Sequence, residues 1–357
     1  MRNPDRFRGC LIGGAAGDAL GYAVEFMHEE QIFSRYGDRG ITDYDLGYGR
    51  ALISDDTQMT LFTAAGLLAG NARDVETGSG ESYAGCIRDS YLDWLKTQEQ
   101  PFPLPEGTGR SWLCGVRDLF SRRAPGTTCM SALKSGGNGT VEMPVNQSKG
   151  CGGVMRVAPV GLYFNDRGMD GKDIARIGAE AAAITHGHIL GWMPAAVLVQ
   201  IIHEISQDGA GVREAVDRSL ETAEEMWPES EKKQYLIRLV RQAVDLAGGD
   251  TEDLQAIHRL GAGWVGEEAL AIAVYCAAKH ENDFDRAVIA AVNHNGDSDS
   301  TGAVTGNILG ARLGLSGIPE KYTEKLELRD VILQVADDLC GGPEEDPERD
   351  RRYSGTR

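Results

Sequence analysis

Gly9-Cys-Leu-Ile-Gly-Gly-Ala-Ala-Gly-Asp-Ala-Leu-Gly21 and Gly302-Ala-Val-Thr-Gly-Asn-Ile-Leu-Gly-Ala-Arg-Leu-Gly314 share one peculiarity. Glycine returns every fourth residue, at Gly9, Gly13, Gly17 and Gly21 in the first and at Gly302, Gly306, Gly310 and Gly314 in the second. Both stretches otherwise read as helices, where each interior glycine costs about 1 kcal/mol against alanine. Spacing by four lays the glycines in a slowly drifting stripe along one helix face. A face without Cβ atoms admits another backbone, or a ligand, at close range. Tight helix–helix packing is the plainer of these two readings, and it has a consequence. Asp18 and Glu25 lie on or just after the first striped helix, and Asp297 and Asp299 open the second. Mutual packing would draw these acids together in a central bundle.

Outward from these stripes the pattern is helical almost throughout. Helical periodicity marks 6–26, 56–70, 82–97, 172–207, 211–226, 230–247, 266–281, 284–293, 299–314 and 320–340, with a break expected near Gly187. Strand-like alternation is nearly absent, so the expected class is all-α. Segments 31–53 and 98–150 are rich in turn formers; the second is long for a loop in a compact domain and is expected to be partly functional. No linker separates two cores, so residues 1–340 read as one domain. Residues 341–357, charged and proline-containing, read as a frayed or flexible tail.

The 357-residue chain carries a formal net charge of −18, which disfavours non-specific binding to nucleic acid or anionic membranes. An anionic ligand would need a local positive source: a metal, backbone N–H groups or a few arginines. Seven cysteines, at positions 10, 86, 114, 129, 151, 276 and 340, form no Cys-x-x-Cys and read as reduced thiols of a cytoplasmic protein. The apolar run after Arg2, Arg6 and Arg8 is too short for a signal peptide. No apolar stretch reads as long enough for a membrane span; Ala269–Ala278, the longest, reads as a buried helix.

Two acidic segments carry the chemistry. Ser54-Asp55-Asp56-Thr57 and Gly296-Asp297-Ser298-Asp299-Ser300 each place two carboxylates beside hydroxyls at the start of a helical pattern. Taken singly, each reads as a capped helix start with acids near the positive end of the dipole. Taken together, they offer the oxygen donors that Mg²⁺ or Mn²⁺ take. Gly150-Cys-Gly-Gly-Val-Met-Arg156 is a glycine-rich turn: either a plain turn, or a cradle for a diphosphate with Arg156 nearby. His186, in Thr185-His186-Gly187-His188, reads equally as a substrate contact or a cap; His186 and His188 at i and i+2 do not share a helix face for zinc.

In combination and in order, Gly13–Gly21 with Val24-Glu25-Phe26, then Ser54-Asp-Asp-Thr57, Gly152-Gly-Val-Met-Arg156, Thr185-His186 and Gly296–Gly302 resemble the ADP-ribosylglycohydrolase family over residues 6–315. The resemblance implies a compact orthogonal helical bundle holding two Mg²⁺ or Mn²⁺ ions. It implies metal ligands Ser54, Asp55, Asp56, Asp297, Asp299 and Ser300, and catalytic roles among Asp55, Asp56, Glu25 and Asp299. Gly152, Gly153, Met155 and His186 would belong to an ADP-ribose pocket, and the partners would be ADP-ribose and an ADP-ribosylated protein. Serine at positions 54 and 300, where some branches carry threonine, is more similar to the branch acting on ADP-ribosyl-arginine. The adenine-stacking aromatic is sought among Tyr and Phe of 31–53 or 98–165. Hydrolases of other ADP-ribose adducts and a non-catalytic, crystallin-like relative are the competing readings.

Overall fold

The structure, a computed structural model, describes residues 2–77, 83–164, 169–342 and 346–354. Its described residues form α-helices and short 3₁₀ or π turns, with isolated bridges but no strand. The helices in chain order are α1 (Pro4–Tyr22), α2 (Glu29–Tyr36), α3 (Asp55–Thr77), α4 (Tyr83–Glu99), α5 (Thr127–Lys134), α6 (Ala158–Tyr163), α7 (Gly171–Ala183), α8 (Ile189–His203), α9 (Val212–Met226), α10 (Glu231–Ala247), α11 (Asp253–Leu260), α12 (Gly266–Lys279), α13 (Phe284–Val292), α14 (Ser298–Leu313), α15 (Arg329–Gly341) and α16 (Pro347–Tyr353). The all-α class expected from the sequence is the observed one.

The two glycine stripes face each other. α1 and α14 run antiparallel, with Gly9 against Gly310, Gly13 against Gly306, Gly17 against Gly302, and Gly21 against the Ser298 carbonyl. A Cβ on any glycine of these pairs would collide with the facing backbone. The stripes therefore serve helix packing, and the pair is central: every residue of Gly9–Gly21 and of Ser298–Ala311 is buried. α1 starts cleanly because the Asn3 side chain accepts from the Asp5 N–H and Pro4 takes a first-turn position needing no donor.

Outer helices are amphipathic instead. α9 buries Val212, Ala215, Val216, Ser219, Leu220 and Ala223, a helical stripe turned toward α8 and α12. The break expected near Gly187 lies between α7 and α8, where His188 caps α8 by accepting from the Leu190 N–H.

Four expectations need correction. α2, α5, α6, α11 and α16 lie outside the periodic stretches, being too short for periodicity to stand out. The 320–340 stretch is helical only from Arg329, after a 3₁₀ turn at Glu320–Tyr322. Helix Ile189–Asp208, π turn included, is long and apolar enough by composition to span a membrane; it lies mostly buried, packed against α7, α9 and α12. The tail expected to fray is ordered over 346–354: Asp346 caps α16, Tyr353 is buried, and its hydroxyl and the Arg352 guanidinium both donate to the Asp338 carboxylate, 2.8 and 2.6 Å away. Gly341 and Gly342 end α15, and residues 343–345 and 355–357 lie outside the described set.

Candidate active site

Antiparallel pairing sets the site. Because Gly21 meets Ser298, the C-terminal end of α1 lies at the N-terminal end of α14. Glu25, in the turn just after α1, thus comes to Asp297 and Asp299. One turn before the end of α1, Asp18 is fully buried and holds the start of α3. The backbone N–H groups of Ser54 and Thr57 donate to its carboxylate at 3.0–3.1 Å, and the Thr57 hydroxyl donates to it as well. This clamp brings the two acidic segments, far apart in the chain, into one cleft.

The cleft has a volume of about 590 Å³ and is lined by Glu25, Asp55, Asp56, Asp297, Asp299 and Ser300 on its acidic side. Gly150, Cys151, Gly152, Met155 and His186 line the other, with Gly126–Cys129 of the long 98–150 segment between them. That segment's expected involvement is thus seen in its contribution to the lining. Trp264 completes the rim.

Two sequence-derived candidates stand off the lining. The Ser54 hydroxyl accepts from the Asp56 N–H at 3.2 Å, so it caps α3 behind the carboxylates. Gly153 is buried against the Gly191 carbonyl and Ala182, where it allows the glycine-rich turn to lie on α8. Asp297 likewise caps α14, accepting from the Ser300 N–H at 3.2 Å, so capping and site roles coexist in the same residues. Arg156 is not a phosphate ligand in this arrangement. It is fully buried, donates to Thr185 Oγ1 (2.7 Å) and the Ala181 carbonyl (3.1 Å), and lies over the Tyr91 ring. The Thr185 hydroxyl in turn meets His186 Nδ1 at 2.8 Å, which fixes the imidazole in the cleft wall.

Burial and mutual repulsion hold the carboxyls of Glu25, Asp55, Asp56 and Asp299 on the acidic side above their ordinary range. Burial, then repulsion from Asp297, Asp55 and Asp18, pushes the Glu25 carboxyl up to about 9. Burial outweighs the Gly126 N–H bond to hold Asp55 at about 8, with Asp18 and Asp297 adding repulsion. Asp56 and Asp299 are also raised well above the usual carboxylate range, chiefly by burial and then by neighbouring acids. Burial and then the Arg156 charge lower His186 to about 3, so it stays neutral near pH 7.

Among the described residues, no group of three or more His, Cys, Asp or Glu side chains is already arranged to hold a metal ion. Several carboxylate oxygens are engaged with backbone N–H groups instead. Yet Glu25 Oε2 and Asp56 Oδ2 are buried with no hydrogen-bond partner. Unpaired buried anionic oxygens are costly, and an all-oxygen donor set fits a hard divalent cation that would satisfy them. The residues fit the ions that the resemblance implies.

Three features escaped the sequence reading. Asp18 is one: an acid inside a glycine stripe is itself a signal of a buried partner. Cys151, inside the glycine-rich turn, donates its thiol to Asp297 Oδ2 at 2.7 Å. Trp264, in Gly261-Ala-Gly-Trp264, lies outside the segments 31–53 and 98–165 where an aromatic is expected, and it is the aromatic ring among the described lining residues.

Comparison with known proteins agrees with this architecture. The model of the ADP-ribosylglycohydrolase family matches residues 1–348. Mouse ADP-ribosylhydrolase ARH3 is 24% identical over 367 positions, spanning 93% of this chain and 91% of the relative. The ADP-ribosyl-dinitrogen reductase glycohydrolase of Rhodospirillum rubrum is 25% identical over 328 positions, 91% of each protein. A solved ADP-ribosylglycohydrolase-related protein complex shares the fold, with a TM-score of 0.57 at 22% identity, covering 94% of this chain and 96% of its own. The class is that of all-α hydrolases acting on ADP-ribosylated substrates. Within it, the chain belongs to the ADP-ribosylglycohydrolase family.

Proposed function

We propose that this protein cleaves the N-glycosidic bond between ADP-ribose and a modified arginine, and that it does so with divalent cations. The observation that carries the reading is the convergence of Glu25, Asp55, Asp56, Asp297 and Asp299 on one cleft whose described lining has no lysine or arginine. Such a lining offers oxygen donors to hard divalent cations and keeps protein cations away from an oxocarbenium-like transition state. Serine at positions 54 and 300 supports the arginine linkage, and a relative named for ADP-ribosyl-dinitrogen reductase supports a modified protein as the substrate. Similarity to ARH3 supports ADP-ribosyl hydrolysis without choosing the linkage.

Asp55, Asp56, Asp297, Asp299 and Ser300 would hold two Mg²⁺ or Mn²⁺ ions, with Ser54 supporting Asp56 from behind. Such ions supply positive charge that orients ribose hydroxyls and lowers the pKa of water. Asp18 keeps the start of α3 in register with α14. Glu25, with one oxygen free of partners, is placed to move a proton at the scissile bond. Gly152 and Met155 shape the wall for the ADP-ribose body, and neutral His186 offers it a hydrogen bond. The test is a release assay on ADP-ribosyl-arginine and ADP-ribosyl-serine peptides, with Mg²⁺, with Mn²⁺ and in excess chelator. Cation-dependent release from arginine and little from serine is expected. Preferential release from serine overturns the linkage, and ADP-ribose binding without release from either peptide indicates a non-catalytic relative.

A further inference from the structure

Two aromatic rings stand at the rim of the cleft, and none of the roles above uses them. Phe26 is 73% exposed and Trp264 45%, and the rings stack with centroids 6.2 Å apart and planes 22° from parallel. Phe26 directly follows Glu25, and Trp264 lines the cleft. The loop that carries Trp264 is firmly held. Glu268 accepts from the N–H groups of Ala262 and Gly263 (2.9 and 3.2 Å), and the Asp297 N–H donates to the Ala262 carbonyl at 2.9 Å. The Trp264 carbonyl accepts from the N–H of Cys151, the residue whose thiol bonds Asp297. The Trp264 loop is thus fixed beside Asp297, and Phe26 stacks on its ring from the turn that carries Glu25, at the acidic end of the cleft where, on the reading above, the leaving group would emerge.

We propose that Phe26 and Trp264 are the specificity shelf for the modified side chain, taking the planar guanidinium of ADP-ribosyl-arginine against an aromatic face. The proposal rests on the arginine reading above and adds the residues that recognise that linkage. A guanidinium stacks on indole through both cation–π attraction and planar contact. The described lining of the cleft offers no lysine or arginine to repel a cation there. An uncharged leaving group, such as an acetyl ester or a serine hydroxyl, gains none of this.

The test compares wild type with Trp264→Leu, Trp264→Phe and Phe26→Leu on two substrates, ADP-ribosyl-agmatine, whose leaving group is a guanidine, and O-acetyl-ADP-ribose. With Trp264→Leu, KM for ADP-ribosyl-agmatine is expected to rise about tenfold, and KM for O-acetyl-ADP-ribose less than about twofold. Trp264→Phe should recover most of the loss, and Phe26→Leu should show a smaller shift of the same kind. Equal losses on both substrates, or an equal loss of ADP-ribose affinity by calorimetry, overturn the proposal, because the shelf would then serve adenine or merely hold Glu25. A second readout separates it from the arginine reading: agmatine alone should quench tryptophan fluorescence in wild type and not in Trp264→Phe. Quenching without turnover of ADP-ribosyl-agmatine retains the shelf and rejects the arginine reading. Turnover that Trp264→Leu leaves unchanged rejects the shelf alone, and neither quenching nor turnover rejects both.

Discussion

Asp299 illustrates how one residue carries two properties that pull in opposite directions. Its carboxylate is buried beside Asp56, Asp297 and Glu25, an arrangement unfavourable by itself and useful for holding cations. Asp299→Ala is expected to lower ADP-ribose release by at least about a hundredfold while far-UV circular dichroism stays that of the folded protein. Full activity in this variant, or in excess chelator, refutes the cation-dependent mechanism. At this scale the sequence was informative where residue types combine: Asp55, Asp56, Asp297, Asp299, Ser300, Glu25, Met155 and His186 all line one cleft. It was less informative about direction. Ser54 and Gly153 belong to the same motifs but stand off the lining: the Ser54 hydroxyl caps α3, and the Gly153 backbone packs on Gly191 and Ala182. Arg156 and His188 were legible as polar groups near a turn; that one is sequestered by Thr185 and Tyr91, and the other caps α8, follows from packing alone.

The α1–α14 pair dominates at the element scale. An interior glycine normally weakens a helix, so glycine-to-alanine exchange on a free helix face stabilises it. Gly306→Ala should do the reverse, since the added methyl would drive into the Gly13 carbonyl. A loss of roughly 2–4 kcal/mol in urea denaturation is expected. The α10 cap Gly248 has right-handed backbone geometry and only ordinary contacts at its Cβ position, and Gly248→Ala should be neutral or slightly stabilising. A neutral Gly306→Ala would contradict the close antiparallel approach. This approach was legible from the period-four glycines, because only a facing backbone or ligand explains a stripe that costs helix stability. The short helices α2, α5, α11 and α16 were not legible, since each spans two turns or so and draws its stability from docking rather than from its own pattern.

Across the whole molecule, the acid cluster links stability to pH and to cations. Glu25 at about 9, Asp55 at about 8 and Asp18 at about 6 all bind protons more tightly in the folded chain than free carboxyls do, chiefly because they are buried. A carboxyl with a raised folded-state pKa contributes stability below its unfolded value near 4, and that contribution is lost as pH rises through the folded value. In chelator, the melting temperature should therefore fall from about pH 5 to about pH 9. Saturating Mg²⁺ should flatten the decline, because a cation binds the ionised form and stabilises the folded state by mass action. Melting curves across this range with and without Mg²⁺ check both points; a metal-free protein equally stable at both ends contradicts the buried cluster. The sequence by itself determined the all-α class, the two striped helices and the donor atoms at their ends, because helical period, glycine spacing and oxygen-bearing side chains are local properties. Only the tertiary structure decided that Asp18 clamps α3 to the end of α1, that Trp264 and Phe26 stack at the rim of the cleft, and that the tail docks. Each of these depends on which distant backbone the chain meets, and that is fixed by close packing rather than by local pattern.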